Sequence, residues 1–99
     1  MLTKEIILAF LREHFHALKS NYHIIRIGLI GSFARDEQNE KSDIDLLVEF
    51  EPGTEDLFDV KTDFKHFLQS KFDRDVDICR EKYIKPFIKD YILKEVIYV

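Results

Sequence analysis

Residues 31–50 read GSFARDEQNEKSDIDLLVEF: Gly31–Ser32, ten residues, then Asp43-Ile44-Asp45. Just upstream, residues 24–30 (IIRIGLI) are short and rich in β-branched side chains, which predicts a strand covered on both faces. Gly31–Ser32 breaks that strand, Phe33 to Glu37 suits a helical turn, and the wholly polar run from Asp36 to Ser42 reads as a surface loop. Residues 43–50 predict a second strand, with Ile44, Leu46, Val48 and Phe50 on one face and Asp43, Asp45, Leu47 and Glu49 on the other. Chance would produce the G-S-x10-D-x-D spacing in a chain of this length with a probability on the order of 10⁻³. Its position between a strand end and a strand head therefore marks it as functional.

The residue types suit one chemistry. Backbone N–H groups at a helix start point outward with partial positive charge and bind phosphate. Gly31 lets a phosphate approach the backbone, and Ser32 adds a hydroxyl donor. Asp43 and Asp45, two apart on a strand, project from the same face. Two such carboxylates repel each other unless a cation sits between them. Mg²⁺ takes one or two carboxylates together with substrate phosphates and water, so the pair beside a phosphate cradle predicts a metal–triphosphate site.

A third carboxylate comes from residues 73–80 (DRDVDICR), which predict a third strand. With Val76 and Ile78 inward, Asp75, Asp77 and Cys79 face the other way. If this strand lies beside residues 43–50, Asp77 joins Asp43 and Asp45 at one edge, and three carboxylates can hold two Mg²⁺ ions about 3.5–4 Å apart. Asp75 is the rival for that place, nearer the strand's start. Arg35 either contacts phosphate or pairs with Asp36 or Glu37. The four histidines have no ligand spacing, and Cys79 reads as a packed small residue. Tyr83, Tyr91 and Tyr98 read as core or partner-facing aromatics, and the lysines from 82 to 94 as a solvated helix face.

The rest of the chain supplies helices. Residues 4–19 place Ile7, Phe10, Leu11, His14, Phe15 and Leu18 at helical spacing, with Thr3 as N-cap. Residues 55–70 carry the stripe Leu57, Val60, Phe64, Phe67 and Leu68. A third helix, from Tyr83 to Glu95, has Pro86 in its first turn and an apolar face of Ile84, Phe87, Ile88, Tyr91 and Ile92. The tail VIYV (96–99) predicts a short strand or an extended cap on the core. The order indicates an α/β (α+β) fold, a small mixed β-sheet packed with helices, as a single domain over residues 1–99.

With 15 Lys and Arg against 19 Asp and Glu, the net charge of −4 argues against direct nucleic-acid binding. No apolar run reaches the ~18 residues of a membrane span. A single cysteine excludes an internal disulfide and a thiolate metal site, and a reducing cytoplasm is the expected compartment.

GSFAR (31–35), SDIDLLVEF (42–50), VDI (76–78) and IKPFIKDYILKEVIYV (84–99) resemble the minimal nucleotidyltransferases of the DNA-polymerase-beta-like superfamily, and among them the MNT antitoxins paired with HEPN toxins. The resemblance covers nearly the whole chain and implies the nucleotidyltransferase fold. It implies that Gly31 and Ser32 hold the triphosphate of ATP, next to the candidate phosphate contact Arg35, and that Asp43 and Asp45 bind Mg²⁺, with Asp77 matching the third carboxylate of the catalytic set. The implied reaction moves AMP from ATP to a tyrosine hydroxyl of a partner HEPN ribonuclease toxin, forming a hetero-oligomer with it. Asp36 departs from the glycine these proteins often carry after the Arg, and puts a negative charge near the phosphate path. A nucleotidyltransferase-fold antitoxin that silences its toxin by contact alone is the alternative.

Overall fold

The computed structural model describes residues 1–99. Thr3 starts the first helix, α1 (Lys4–Glu13): its hydroxyl accepts the Ile6 N–H at 3.2 Å. The expected single helix over 4–19 is bent at His14, and α2 (Phe15–Tyr22) continues from there. The hydrogen-bond ladder spans the bend, from His14 N–H to the Phe10 carbonyl (3.1 Å) and from Leu18 N–H to the His14 carbonyl (2.9 Å). Ile7, Leu11 and Leu18 therefore all reach the core.

Strand β1 (Ile24–Ile30) leads directly into a four-residue helix, α3 (Gly31–Ala34). Ile25 and Arg26 are exposed, so β1 is covered on both faces only in its second half. After the polar loop come β2 (Ile44–Phe50), α4 (Leu57–Phe72) and β3 (Val76–Arg80). Both flanking boundaries lie later than the periodicity suggests. Asp56, at φ 52°, turns the chain left-handed into α4, and Asp73, at φ 50°, caps its end. A 3₁₀ turn (Glu81–Tyr83), α5 (Pro86–Glu95) and β4 (Ile97–Tyr98) complete the chain.

The strands form one mixed sheet in the order β3-β2-β1-β4. Only β2 and β3 run parallel, joined through α4; β1 is antiparallel to both β2 and β4. One sheet face, with Ile27, Leu29, Leu46, Val48, Val76 and Ile78, packs on residues of α1, α2 and α4 to form the core. Phe33 is buried in the same core, which anchors α3; sequestering a side chain of that size contributes about 2–3 kcal/mol.

The other face aligns Ile30, Asp45 and Asp77 in one row, and Tyr98, Gly28, Leu47 and Cys79 in the next. Helix α5 lies over this face but buries little of itself. Two members of its expected apolar face stand open, Phe87 at 82% and Tyr91 at 63% exposed, and they are joined by Tyr83 of the preceding turn at 69% and Phe58 of α4 at 80%. The helix spans ten residues above a sheet face that is partly carboxylate, so it has few apolar partners. No helix is long and apolar enough to cross a membrane.

Candidate functional site

The turn after β1 is built around Gly31, whose φ of +75° suits a residue without a side chain. A Cβ there would run into Oδ2 of Asp45. The strand thus ends by laying Gly31 directly against a carboxylate of β2, with Ser32 in the first turn of α3. Arg35 closes α3, its N–H donating to the Gly31 carbonyl at 3.2 Å.

Asp36 follows at φ +58°, a conformation that favours glycine and that Asp tolerates better than most side chains. Its charge does not face the Gly31 turn unpaired: Lys4 of α1 donates to it at 2.9 Å, and this bond raises the Lys4 pKa. The departure from glycine therefore leaves the turn intact and ties it to the first helix.

The loop to Asp43 is also held. Asn39 N–H donates to Ser42 Oγ (2.9 Å), and Lys41 N–H to Asn39 Oδ1 (2.8 Å). Arg74 donates to the carbonyls of Asn39 and Ser42, both at 3.0 Å, while its guanidinium lies 5.5 Å from the Phe33 ring centroid. The β2 head is fixed by Ile44 N–H bonding the Asp75 carbonyl at 2.9 Å.

Of the predicted carboxylates, Asp45 and Asp77 are direct register partners across β2 and β3. Asp45 is half-buried and lines a hollow beneath α5 with Ile30, Gly31, Arg35, Cys79, Tyr91, Ile92 and Glu95. Asp77 and Asp43 are exposed. Asp43 borders a separate polar hollow with Asp73 and Asp75, so Asp75 belongs to Asp43's side of the edge. Burial, then the charges of Asp77 and Asp43, push the Asp45 pKa up, and Arg35 opposes them. The thiol of Cys79, in the next row, is pushed up by desolvation and by Asp45 and Asp77.

No three acidic, histidine or cysteine side chains close into a ready cation cage. The donor set still fits Mg²⁺, which needs only one or two carboxylates when phosphates and waters supply the remaining oxygens. Burial does most to raise the Asp45 pKa, and the charges of Asp77 and Asp43 add to it, so a cation placed between these carboxylates would relieve the second part.

Arg35 is engaged. Its Nε donates to Glu37 at 3.0 Å, and its Nη1 reaches both carboxylate oxygens of Glu95, at 3.1 and 3.3 Å. Glu95 also accepts the Gly31 N–H at 2.5 Å. Sequence reasoning anticipates the Glu37 pairing but misses Glu95 and Arg74. Both act across more than 30 residues of chain, and neither belongs to a local motif.

Residues 11–99 match the family described as the nucleotidyltransferase domain. The chain belongs to the nucleotidyltransferase family. Among similar proteins, a candidate protein adenylyltransferase of Methanocaldococcus jannaschii is 37% identical over 100 residues and covers all of both chains. The protein adenylyltransferase MntA of Thermococcus cleftensis is 33% identical over 99 residues, 100% of this chain and 98% of that one. A solved structure of a candidate minimal nucleotidyltransferase superposes with a TM-score of 0.79 at 32% identity, covering 97% of this chain and 95% of that one. A toxin–antitoxin crystal structure with AMP-PNP shares the fold at a TM-score of 0.66 and 21% identity, over 98% of this chain and 72% of that one. This nucleotidyltransferase thus has the mixed sheet and helices that its sequence predicts, and it is an enzyme of that class.

Proposed function

We propose that this nucleotidyltransferase transfers AMP from ATP to a tyrosine hydroxyl of a partner toxin of the HEPN ribonuclease type, and so acts as its antitoxin. The observation that carries the reading is the placement of the Gly31 turn directly against Asp45, with Asp77 in register beside it. The relatives named protein adenylyltransferase support AMP transfer, and the fold shared with a toxin–antitoxin structure agrees with an antitoxin role.

In the proposed reaction the tyrosine oxygen attacks the α-phosphorus. The bond from that phosphorus to the bridging oxygen breaks, and pyrophosphate leaves. The α3 turn orients the triphosphate: Gly31, without a side chain, leaves room for its approach, and the Ser32 hydroxyl donates to it. Asp77 accepts the phenol proton, which is held at a pKa near 10 in water and needs a nearby base. Asp43, Asp45 and Asp77 would hold Mg²⁺, one ion or two, whose chemistry is to neutralise the charge developing on the phosphates.

The open face of Tyr83, Phe87 and Tyr91 supplies the partner surface. The groove beside it is apolar, and Lys61, Arg80 and Lys85 are the charged residues that line it. The net negative charge of the chain suggests a basic partner, but this face suits an apolar segment with acidic flanks. A reaction consuming ATP on a ribonuclease belongs in the cytoplasm.

The test is to incubate the chain with Mg²⁺, ATP labelled on the α-phosphate, and a purified HEPN-type toxin as acceptor. A gain in the partner's mass equal to one or more AMP units is expected, with the label on tyrosine. Neutralised toxin without any gain in mass would replace transfer with contact alone.

A further inference from the structure

We propose that Glu95 is a positioning residue of the nucleotide site: its one carboxylate ties together both ends of the Gly31–Arg35 turn and presets that turn against Asp45. The proposal rests on reading the turn as the triphosphate cradle.

A helix of four residues does not hold itself together, because nucleation is unfavourable and few bonds follow it. Its first N–H groups also lack partners within the helix. Ile30, at the N-cap, has no side-chain acceptor to offer. Glu95 fills that role from 64 residues away: Oε2 accepts the Gly31 N–H at 2.5 Å. The same carboxylate takes Arg35 Nη1 at the other end of the turn, at 3.1 and 3.3 Å. The Glu95 side chain is only 13% exposed and its bond to the Gly31 N–H is partly buried, while Arg35 meets it from the more open side at 37%.

Glu95 is itself placed rigidly. It is the last residue of α5, and β4 begins two positions later, pairing Ile97 with Leu29 and Tyr98 with Gly28 of β1. Gly28 makes this possible, since a Cβ there would collide with Val96 and press on the Tyr98 ring. The strand that ends in the turn therefore also anchors the residue that clamps it. Arg35 belongs to this clamp: with Nε on Glu37 and Nη1 on Glu95, its role is to hold the turn and to offset the Glu95 charge beside Asp45.

Glu95→Ala and Glu95→Gln in the full chain test the proposal through three readouts. These are hydrogen exchange of the amides from Ser32 to Asp36, calorimetric ATP affinity with Mg²⁺, and KM for ATP against kcat. Glu95→Ala should expose the turn amides to faster exchange and weaken ATP binding roughly 10- to 100-fold, the scale of a misplaced binding group. KM should rise more than kcat falls. Glu95→Gln keeps an acceptor for the Gly31 N–H and loses the charge on Arg35, so it should fall between Ala and the unchanged chain. It also serves as the test if the Ala variant fails to fold.

Tighter ATP binding by Glu95→Ala would overturn the proposal in favour of a carboxylate that competes with phosphate. A lower melting temperature with unchanged turn exchange and unchanged affinity would reduce Glu95 to a structural contact. If the unchanged chain binds no ATP, the reading of the turn as a nucleotide site fails, and faster or unaltered exchange in the variants still decides the clamp.

Discussion

The Cβ that Gly31 lacks would fall against Oδ2 of Asp45, with the Cβ and Cγ of Asp45 each 3.1 Å from it. This contact joins the two halves of the motif in space: the glycine is absent of side chain because the carboxylate is there. Gly31→Ala therefore has two effects. A non-glycine residue at φ +75° costs about 1–2 kcal/mol, and the methyl group turns Asp45 away from its place. We expect a lower midpoint in urea, and a loss of Mg²⁺-dependent ATP binding larger than that stability change predicts. Calorimetric affinity equal to that of the unchanged chain would mean the nucleotide does not use this turn.

Asp45 sets a pH dependence. Its pKa is raised, first by burial and then by Asp77 and Asp43, so the folded chain holds this proton more tightly than the unfolded chain does. The stability linked to it is present at pH below the ordinary aspartate value and is lost as pH rises through the folded value. Asp45→Asn should therefore raise the melting temperature at pH 7 and leave it nearly unchanged near pH 3. The gain should be about 1 kcal/mol or less, because the group is only half-buried. Melts across that range check it; a variant less stable than the unchanged chain at pH 7 would show that the Asp45 charge is not penalised by its burial and its neighbours.

The strands and the carboxylate edge were legible because β-branched runs and period-2 alternation are local signals. Ile44, Leu46, Val48 and Phe50 did go to the core, and Asp45 and Asp77 did become neighbours. What escaped was set by tertiary context. The left-handed residues Asp56 and Asp73 moved the ends of α4, and nothing in an apolar stripe announces them. The face of Phe87 and Tyr91 has the spacing of a core helix, yet the chain offers no second layer to cover it. In the sequence Glu95 is only the last residue of the third helix; the pairing of β4 with β1 is what carries it to Gly31.

That uncovered face gives a prediction about the partner. Phe87 makes almost no use of the fold, so Phe87→Asp should change stability by no more than about 0.5 kcal/mol. Aromatic anchors at interfaces commonly contribute 2 kcal/mol or more, so the same variant should weaken the complex with the toxin by roughly 30-fold or beyond. Co-purification followed by titration of the purified pair measures this. An unchanged Kd would move the interface to another surface.

The last prediction separates catalysis from contact. Asp77 is exposed and pairs in register with Asp45, so Asp77→Asn keeps the size of the side chain and the strand pairing while removing one charge. Removing it also relieves repulsion on Asp45, so the fold should be at least as stable. ATP should still bind through the Gly31 turn and the other two carboxylates. Transfer should slow by ~10²–10⁴, the usual loss when a positioned base is removed. The proposed partner surface around α5 is untouched, so the complex should form as before. Co-expression with the toxin then gives a clear reading: the toxin carries no added AMP and growth is arrested, although the two proteins co-purify. Full rescue of growth by Asp77→Asn with no gain in the toxin's mass would refute transfer as the neutralising step and leave binding to account for it.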